Sequence, residues 1–154
     1  MDLVISTDIE VIIRLIIAAL LGYVIGLERE ITGHAAGERT HALVAVGAAA
    51  FSQISPMAYP GGDATRVAAG VVTGLGFLGA GIIFKQPGSN IKGLTTAAGI
   101  WSVGAVGLAI GAGMYLLGVA TAVIIWIILI SERLLRLDER IYAWRKRWKK
   151  NKMK

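Results

Sequence analysis

Five apolar runs set most of what this chain can fold into. They cover residues 9–27, 42–59, 67–84, 93–111 and 114–130. Each is near or above the ~18 residues with which a helix crosses the hydrocarbon of a bilayer. Hydrophobic residues make up 55% of the 154 residues, and the mean hydropathy is +0.66. Backbone amides in lipid have no water to bond, so such runs must satisfy them within a helix. The expected fold is therefore all-α: a polytopic membrane bundle of five transmembrane helices over residues 1–131, with a basic amphipathic helix over residues 132–154. The connections are short. The fourth is only "AG", which predicts a tight hairpin of the last two spans.

The chain has no cysteine, which excludes disulfides, thiolate metal sites and thiol catalysis. Its first ten residues hold two Asp and one Glu and no basic residue, so the first span is expected to remain as a membrane helix rather than a cleaved leader. Basic residues then give an orientation. Arg29 and Arg39 lie in the first loop, Lys85 and Lys92 in the third, and ten of the sixteen Lys and Arg from Glu132 onward. Only Arg66 falls on the other side. The N-terminus is expected outside the cell and the C-terminus in the cytoplasm, in the cell (inner) membrane.

In the tail, Leu134, Leu137, Ile141, Trp144 and Trp148 recur on one helical face. Basic residues, including Arg145, Lys146, Arg147, Lys149 and Lys150, fill the remainder. One reading lays this helix on anionic lipid with its Trp residues at headgroup depth. The other pairs the apolar stripe with a second copy of the chain.

The third span carries Gly70, Gly74, Gly76, Gly79 and Gly81. On a helical wheel Gly70, Gly74 and Gly81 share one face, and Gly76 and Gly79 lie opposite. Small residues in lipid allow close approach of backbones. Helix 3 is therefore expected at the centre of the bundle, packed on two sides, one against helix 4 and the other against helix 1 or 2 or the same helix of a second subunit. The competing reading bends the helix or opens a path. Helix 4 offers a small, weakly polar stripe of Thr95, Ala98, Ser102, Ala105 and Ala109, which could form a polar seam against helix 3.

Few ionisable residues enter the spans. Arg14 lies one turn after Glu10, where an i,i+4 pair with snorkelling competes with a functional role. Asp63 and Arg66 precede helix 3. Asp63 suits an N-cap, or a carboxylate at the outer mouth that draws in Mg²⁺. Glu28, Arg29, Arg39, Thr40, His41, Thr95 and Thr96 are expected near one another on the cytoplasmic face. There Glu28 beside Arg39 would make a mixed-charge cluster: a gate, a cation site or a docking surface. His34 sits in the intervening loop. No zinc-protease, P-loop or nucleophile-turn motif is present. "GLGFLG" matches GxGxxG by letter only, since it lies within a span and follows no strand. The chain is read as no enzyme, with no certain cofactor.

The stretches "GLERE" at 26–30, "GERTHALVAVGAAAF" at 37–51, "DATRVAAGVVTGLGFLGAGIIF" at 63–84 and "GLTTAAGIWSVGAVGLAIGAGMY" at 93–115 resemble, in order, the MgtC/SapB membrane proteins. The resemblance implies a bacterial inner-membrane protein linked to magnesium limitation, acid tolerance and survival inside host cells. Some members are thought to restrain the ATP synthase. Many relatives carry a soluble domain after the membrane part, where this chain has its basic tail. The family more often has an apolar residue where this chain has Glu38. Two functions follow as expectations: a channel or transporter for Mg²⁺ or another cation, or a non-conducting regulator that binds a membrane partner. A homo-oligomer is compatible with both, and no nucleic acid is expected as a partner.

Overall fold

The computed structural model describes residues 2–85 and 91–135. Five helices follow one another: α1 (Asp2–Ile31), α2 (Glu38–Ala58), α3 (Ala64–Ile82), α4 (Leu94–Gly111) and α5 (Tyr115–Leu135). Two-residue strands, β1 (Phe84–Lys85) and β2 (Ile91–Lys92), pair antiparallel between α3 and α4, with Phe84 opposite Lys92 and Lys85 opposite Ile91. Four helices are long and apolar enough to span a membrane. The apolar part of α5, Tyr115–Ser131, is shorter, about 26 Å at 1.5 Å per residue. The basic tail residues Trp144, Arg145, Lys146, Arg147, Trp148, Lys149 and Lys150 lie outside the described residues.

Two helix ends share one design. After α4, Gly113 takes φ +78°, its N–H bonds the Ile110 carbonyl, and the Met114 N–H bonds Ala109 at 2.9 Å. These paired bonds close the orphan carbonyls of the last turn around a left-handed glycine, and they make the Ala112–Gly113 hairpin possible. After α1, Gly33 takes φ +74°. Its N–H bonds Glu30 and the His34 N–H bonds Arg29, both at 3.0 Å.

The centre of the bundle is α4, which corrects the expectation for α3. Eleven α4 residues are buried, against Gly79 alone in α3. α4 contacts all four other helices. Its own glycines make this possible. A Cβ on Gly107 would strike the Ala45 carbonyl oxygen and lie 2.8 Å from the Ala48 Cβ. One on Gly111 would lie 2.5 Å from the Ala49 carbonyl oxygen. Gly22 of α1 meets α2 in the same way, 2.6 Å from the His41 carbonyl oxygen. Helix α2 thus touches both α1 and α4 backbone to backbone. Ala18, Ile25, Ala45, Ala49, Val103 and Val106 belong to the core they enclose, joined from α5 by Ala122 and Leu129.

The α3 glycines behave otherwise. Gly79 packs on Ala97, 3.4 Å from its Cβ. Among the described residues, Gly70, Gly74, Gly76 and Gly81 have nothing within 4 Å of a Cβ built on them. Within one chain they are not packing residues. A small face permits close approach only where another backbone arrives, and here none does. Gly70, Val71 and Gly74 instead form one wall of an apolar groove of about 450 Å³, facing Leu43, Gly47 and Phe51 of α2. Phe77 is 85% exposed.

The expected polar seam is corrected too. α3 meets α4 through Gly79 on Ala97 and the Leu75 side chain on Gly104. Thr95, Ala98 and Ala105 are exposed and Ser102 is half-buried. At 100° per residue their stripe is turned roughly a third of a circle away from Ala97 and Gly104.

Candidate functional site

Two polar clusters sit at opposite ends of the bundle. The first forms where α1 ends. Arg29 is almost fully buried, at 1% side-chain exposure, and Glu28 beside it is at 7%. Arg29 Nε donates to Glu28 Oε2 at 2.5 Å, and Nη2 donates to the Leu129 carbonyl of α5 at 3.0 Å. Nη1 lies 3.2 Å from His34 Nε2. Thr32 Oγ1 bonds the Glu28 carbonyl at 2.8 Å and lies 2.8 Å from His34 Nδ1. Charges at this depth require partners, and Arg29 supplies Glu28 with one. Glu28 Oε1 has no hydrogen-bond partner among the described residues.

His41 opens α2 beside this cluster. It is fully buried, and its Nδ1 bonds the Gly37 carbonyl at 2.9 Å. Its Nε2 faces Gly99 of α4, 3.6 Å from where a Cβ would sit, and has no hydrogen-bond partner among the described residues. Thr96 is buried and Thr95 is not. Arg39 corrects the expected Glu28–Arg39 pairing. Its side chain is 92% exposed and lies 3.8 Å from Glu38. Arg39 and Thr40, with Glu30, Gly37 and Glu38, line a separate recess of about 300 Å³. By spacing His34 is only a loop residue; the signal for its role is the glycine before it, since Gly33 at the end of a helix forecasts the turn that carries His34 back to Arg29.

The second cluster centres on Arg14. The expected i,i+4 pair is present, with Nη2 donating to Glu10 at 2.5 Å. Two further contacts could not be read from spacing: Nη1 donates to the Gly111 carbonyl at 2.9 Å, and Nε to the Tyr115 hydroxyl at 3.3 Å. The guanidinium also stands 5.9 Å from the Tyr115 ring centre, within cation–π range. Arg14 thereby ties α1 to the α4–α5 hairpin. It borders a cavity of about 310 Å³ lined also by Glu10, Ser52, Gln53 and Met57. Gln53 is buried, donates to Ala49 at 3.4 Å, and leaves Oε1 without a partner among the described residues.

Asp63 caps α3. Its Oδ1 accepts from the Thr65 hydroxyl at 2.5 Å and the Thr65 N–H at 2.9 Å. Those bonds, the hydroxyl first, hold the carboxyl below the ordinary aspartate value. Asp63 and Arg66 are both exposed. Asp63 and Glu28 belong to opposite ends of the bundle. Among the described residues no three of His, Asp or Glu converge on a point where a metal ion could sit.

Long apolar helices, a core made by glycine contacts between backbones, and, among the described residues, polar clusters gathered at the two ends of the bundle define a multi-pass helical membrane protein. It belongs to the MgtC family, whose profile matches residues 15–137. The chain is 46% identical over 128 residues to the "Putative magnesium transporter YhiD" of Escherichia coli (strain K12), covering 78% of this chain and 59% of that one. It is 54% identical over 97 residues to the "Protein MgtC" of Brucella abortus (strain 2308), covering 63% and 40%. Against the "Protein MgtC" of Salmonella typhimurium (strain LT2) it is 44% identical over 114 residues, covering 74% and 48%. The chain thus spans roughly half the length of these relatives. No solved structure matches it.

Proposed function

We propose that this chain serves magnesium homeostasis as a membrane-embedded regulator that binds another membrane protein through α3, and that it conducts no ion itself. The observation carrying this reading is the bare small face of α3. Lipid gives no reason to prefer glycine over leucine, whereas an approaching helix does. Gly70, Gly74 and Gly81, which share that face, are open among the described residues, so we assign the approaching helix to another chain. Two further features support it. Helix α2 packs backbone to backbone on both α1 and α4, and the acids of both polar clusters, Glu10 and Glu28, are paired with arginine. The N-terminus is proposed outside and the C-terminus in the cytoplasm. Arg145, Lys146, Arg147, Lys149 and Lys150 are proposed to hold anionic lipid. The ATP synthase, implied by the family resemblance, is the first partner to test.

A photo-crosslinking residue replacing Gly74 in native membranes tests the proposal. An adduct with a different membrane protein supports it. An adduct with a second copy alone makes α3 an oligomer face instead, and lipid adducts alone overturn partner binding.

A second reading, cation transport, has one observation in its favour: the outer cavity holds a carboxylate, Glu10, beside the buried Gln53. The name of the Escherichia coli relative points the same way. Mg²⁺ flux into liposomes containing the purified chain, abolished by Glu10→Gln, would establish it and displace the regulatory reading.

A further inference from the structure

The turn after α1 fixes more than the backbone. Because the His34 N–H bonds the Arg29 carbonyl at 3.0 Å, the His34 ring is returned to the Arg29 side chain. The hydrogen-bond inventory then assigns the ring's proton. A guanidinium only donates, so His34 Nε2, 3.2 Å from Arg29 Nη1, must accept. The Thr32 hydroxyl hydrogen is directed to the carbonyls of Glu28 at 2.8 Å and Arg29 at 3.2 Å. Thr32 Oγ1 therefore offers a lone pair to Nδ1, 2.8 Å away, and Nδ1 carries the hydrogen. The contacts are satisfied by a neutral ring in one tautomer.

We propose that His34 is a proton-operated latch on the α1–α2 loop. Neutral, it seats residues 32–37 over the buried Arg29. Protonated, it sets N–H against N–H and a second positive charge beside the guanidinium, and the loop lets go. Imidazole is the side chain whose charge ordinarily changes between about pH 5 and 8.

Among the described residues the charged groups near the loop come from α1 and α2. On α1, Glu28 accepts from Arg29 Nε through Oε2 and leaves Oε1 without a hydrogen-bond partner among those residues, and Glu30 lines the recess beside Gly37. On α2, Glu38 lies against Arg39, and His41 is fixed to Gly37. From α5, Arg29 receives the Leu129 carbonyl. Among the described residues no carboxylate forms an ion pair with the His34 ring to hold a protonated form in place. On release Arg29 keeps Glu28 and Leu129, so the opening is local. It reaches Gly37, whose carbonyl oxygen lies 2.6 Å from where a Cβ on Gly26 would stand, and hence the contact between α1 and α2. The inference does not rest on the proposed regulatory function.

Amide hydrogen exchange on the whole chain in lipid nanodiscs tests it. Between about pH 7.5 and 5, after correction for intrinsic rates, protection of residues 32–37 should fall on the order of tenfold. His34→Gln, whose amide oxygen can still accept from Arg29, should stay protected across that range. His34→Lys should be open throughout. Loss of protection in His34→Gln with the wild-type pH profile would overturn the latch, as would a protected loop in His34→Lys. Ring ¹⁵N shifts give a reading that needs no variant: hydrogen on Nδ1 at neutral pH is expected, and hydrogen on Nε2 would equally overturn it.

Discussion

Arg29, at the end of α1, donates a 3.0 Å hydrogen bond to the carbonyl of Leu129 on α5, 100 residues further along the chain. The same guanidinium pairs with Glu28. One buried side chain therefore neutralises a carboxylate and joins α1 to α5.

Removing that side chain alone should be costly. Arg29→Met leaves Glu28 charged and buried, for which the expected loss is about 3–5 kcal/mol. Adding Glu28→Gln should recover much of it, because an amide is cheaper to bury than an unpaired carboxylate. Unfolding in mild detergent measures both. Equal losses for the single and double variants would show that the ion pair does not set the cost.

Glycine substitutions separate the packed helix from the bare one. Gly107→Val must displace the Ala45 backbone and should cost about 1–3 kcal/mol or more. Gly74→Leu meets open space and should change the stability of the single chain by no more than about 0.5 kcal/mol. Folded yield and thermal unfolding of the monomer in detergent are the readouts. A Gly74→Leu loss as large as that of Gly107→Val would place α3 in the core.

The Arg14 contacts predict a graded series. Tyr115→Phe removes one hydrogen bond and should cost about 0.5–1 kcal/mol. Arg14→Leu removes that bond, the bond to Gly111 and the Glu10 pair, and should cost about 1–3 kcal/mol. The Gly113 amide, next to the guanidinium, should exchange faster in Arg14→Leu. An unchanged rate there would mean that Arg14 does not hold the hairpin.

Asp63 gives a pH dependence of known sign. Its carboxyl is held below the ordinary value of 3.8 by the Thr65 hydroxyl and then the Thr65 N–H. A depressed folded value stabilises the chain above the unfolded value, and the benefit fades as pH falls through the depressed one. Wild type should therefore lose part of its advantage over Asp63→Ala as pH drops below about 4. Thermal unfolding of both proteins across that range is the measurement. A gap that widens in acid would contradict the cap.

The apolar runs alone determined the number, order and approximate limits of the five helices. An apolar chain in lipid must close its hydrogen bonds within each segment, so length and hydropathy suffice. Local spacing also determined the Glu10–Arg14 pair and the Asp63 cap, because those partners lie within a turn of one another. The rotation of each helix about its own axis was not legible. α4 is small or apolar on almost every side, so no hydrophobic face points inward and its four glycines look no different from the five of α3. Only when Ala45 and Ala49 of α2 are set against Gly107 and Gly111 does α4 become the centre. The same holds for Arg29 on Leu129 and Arg14 on Gly111, whose partners are about a hundred residues away. Such pairs exist because helices cross at particular heights and angles, and those are set by which backbones can approach most closely.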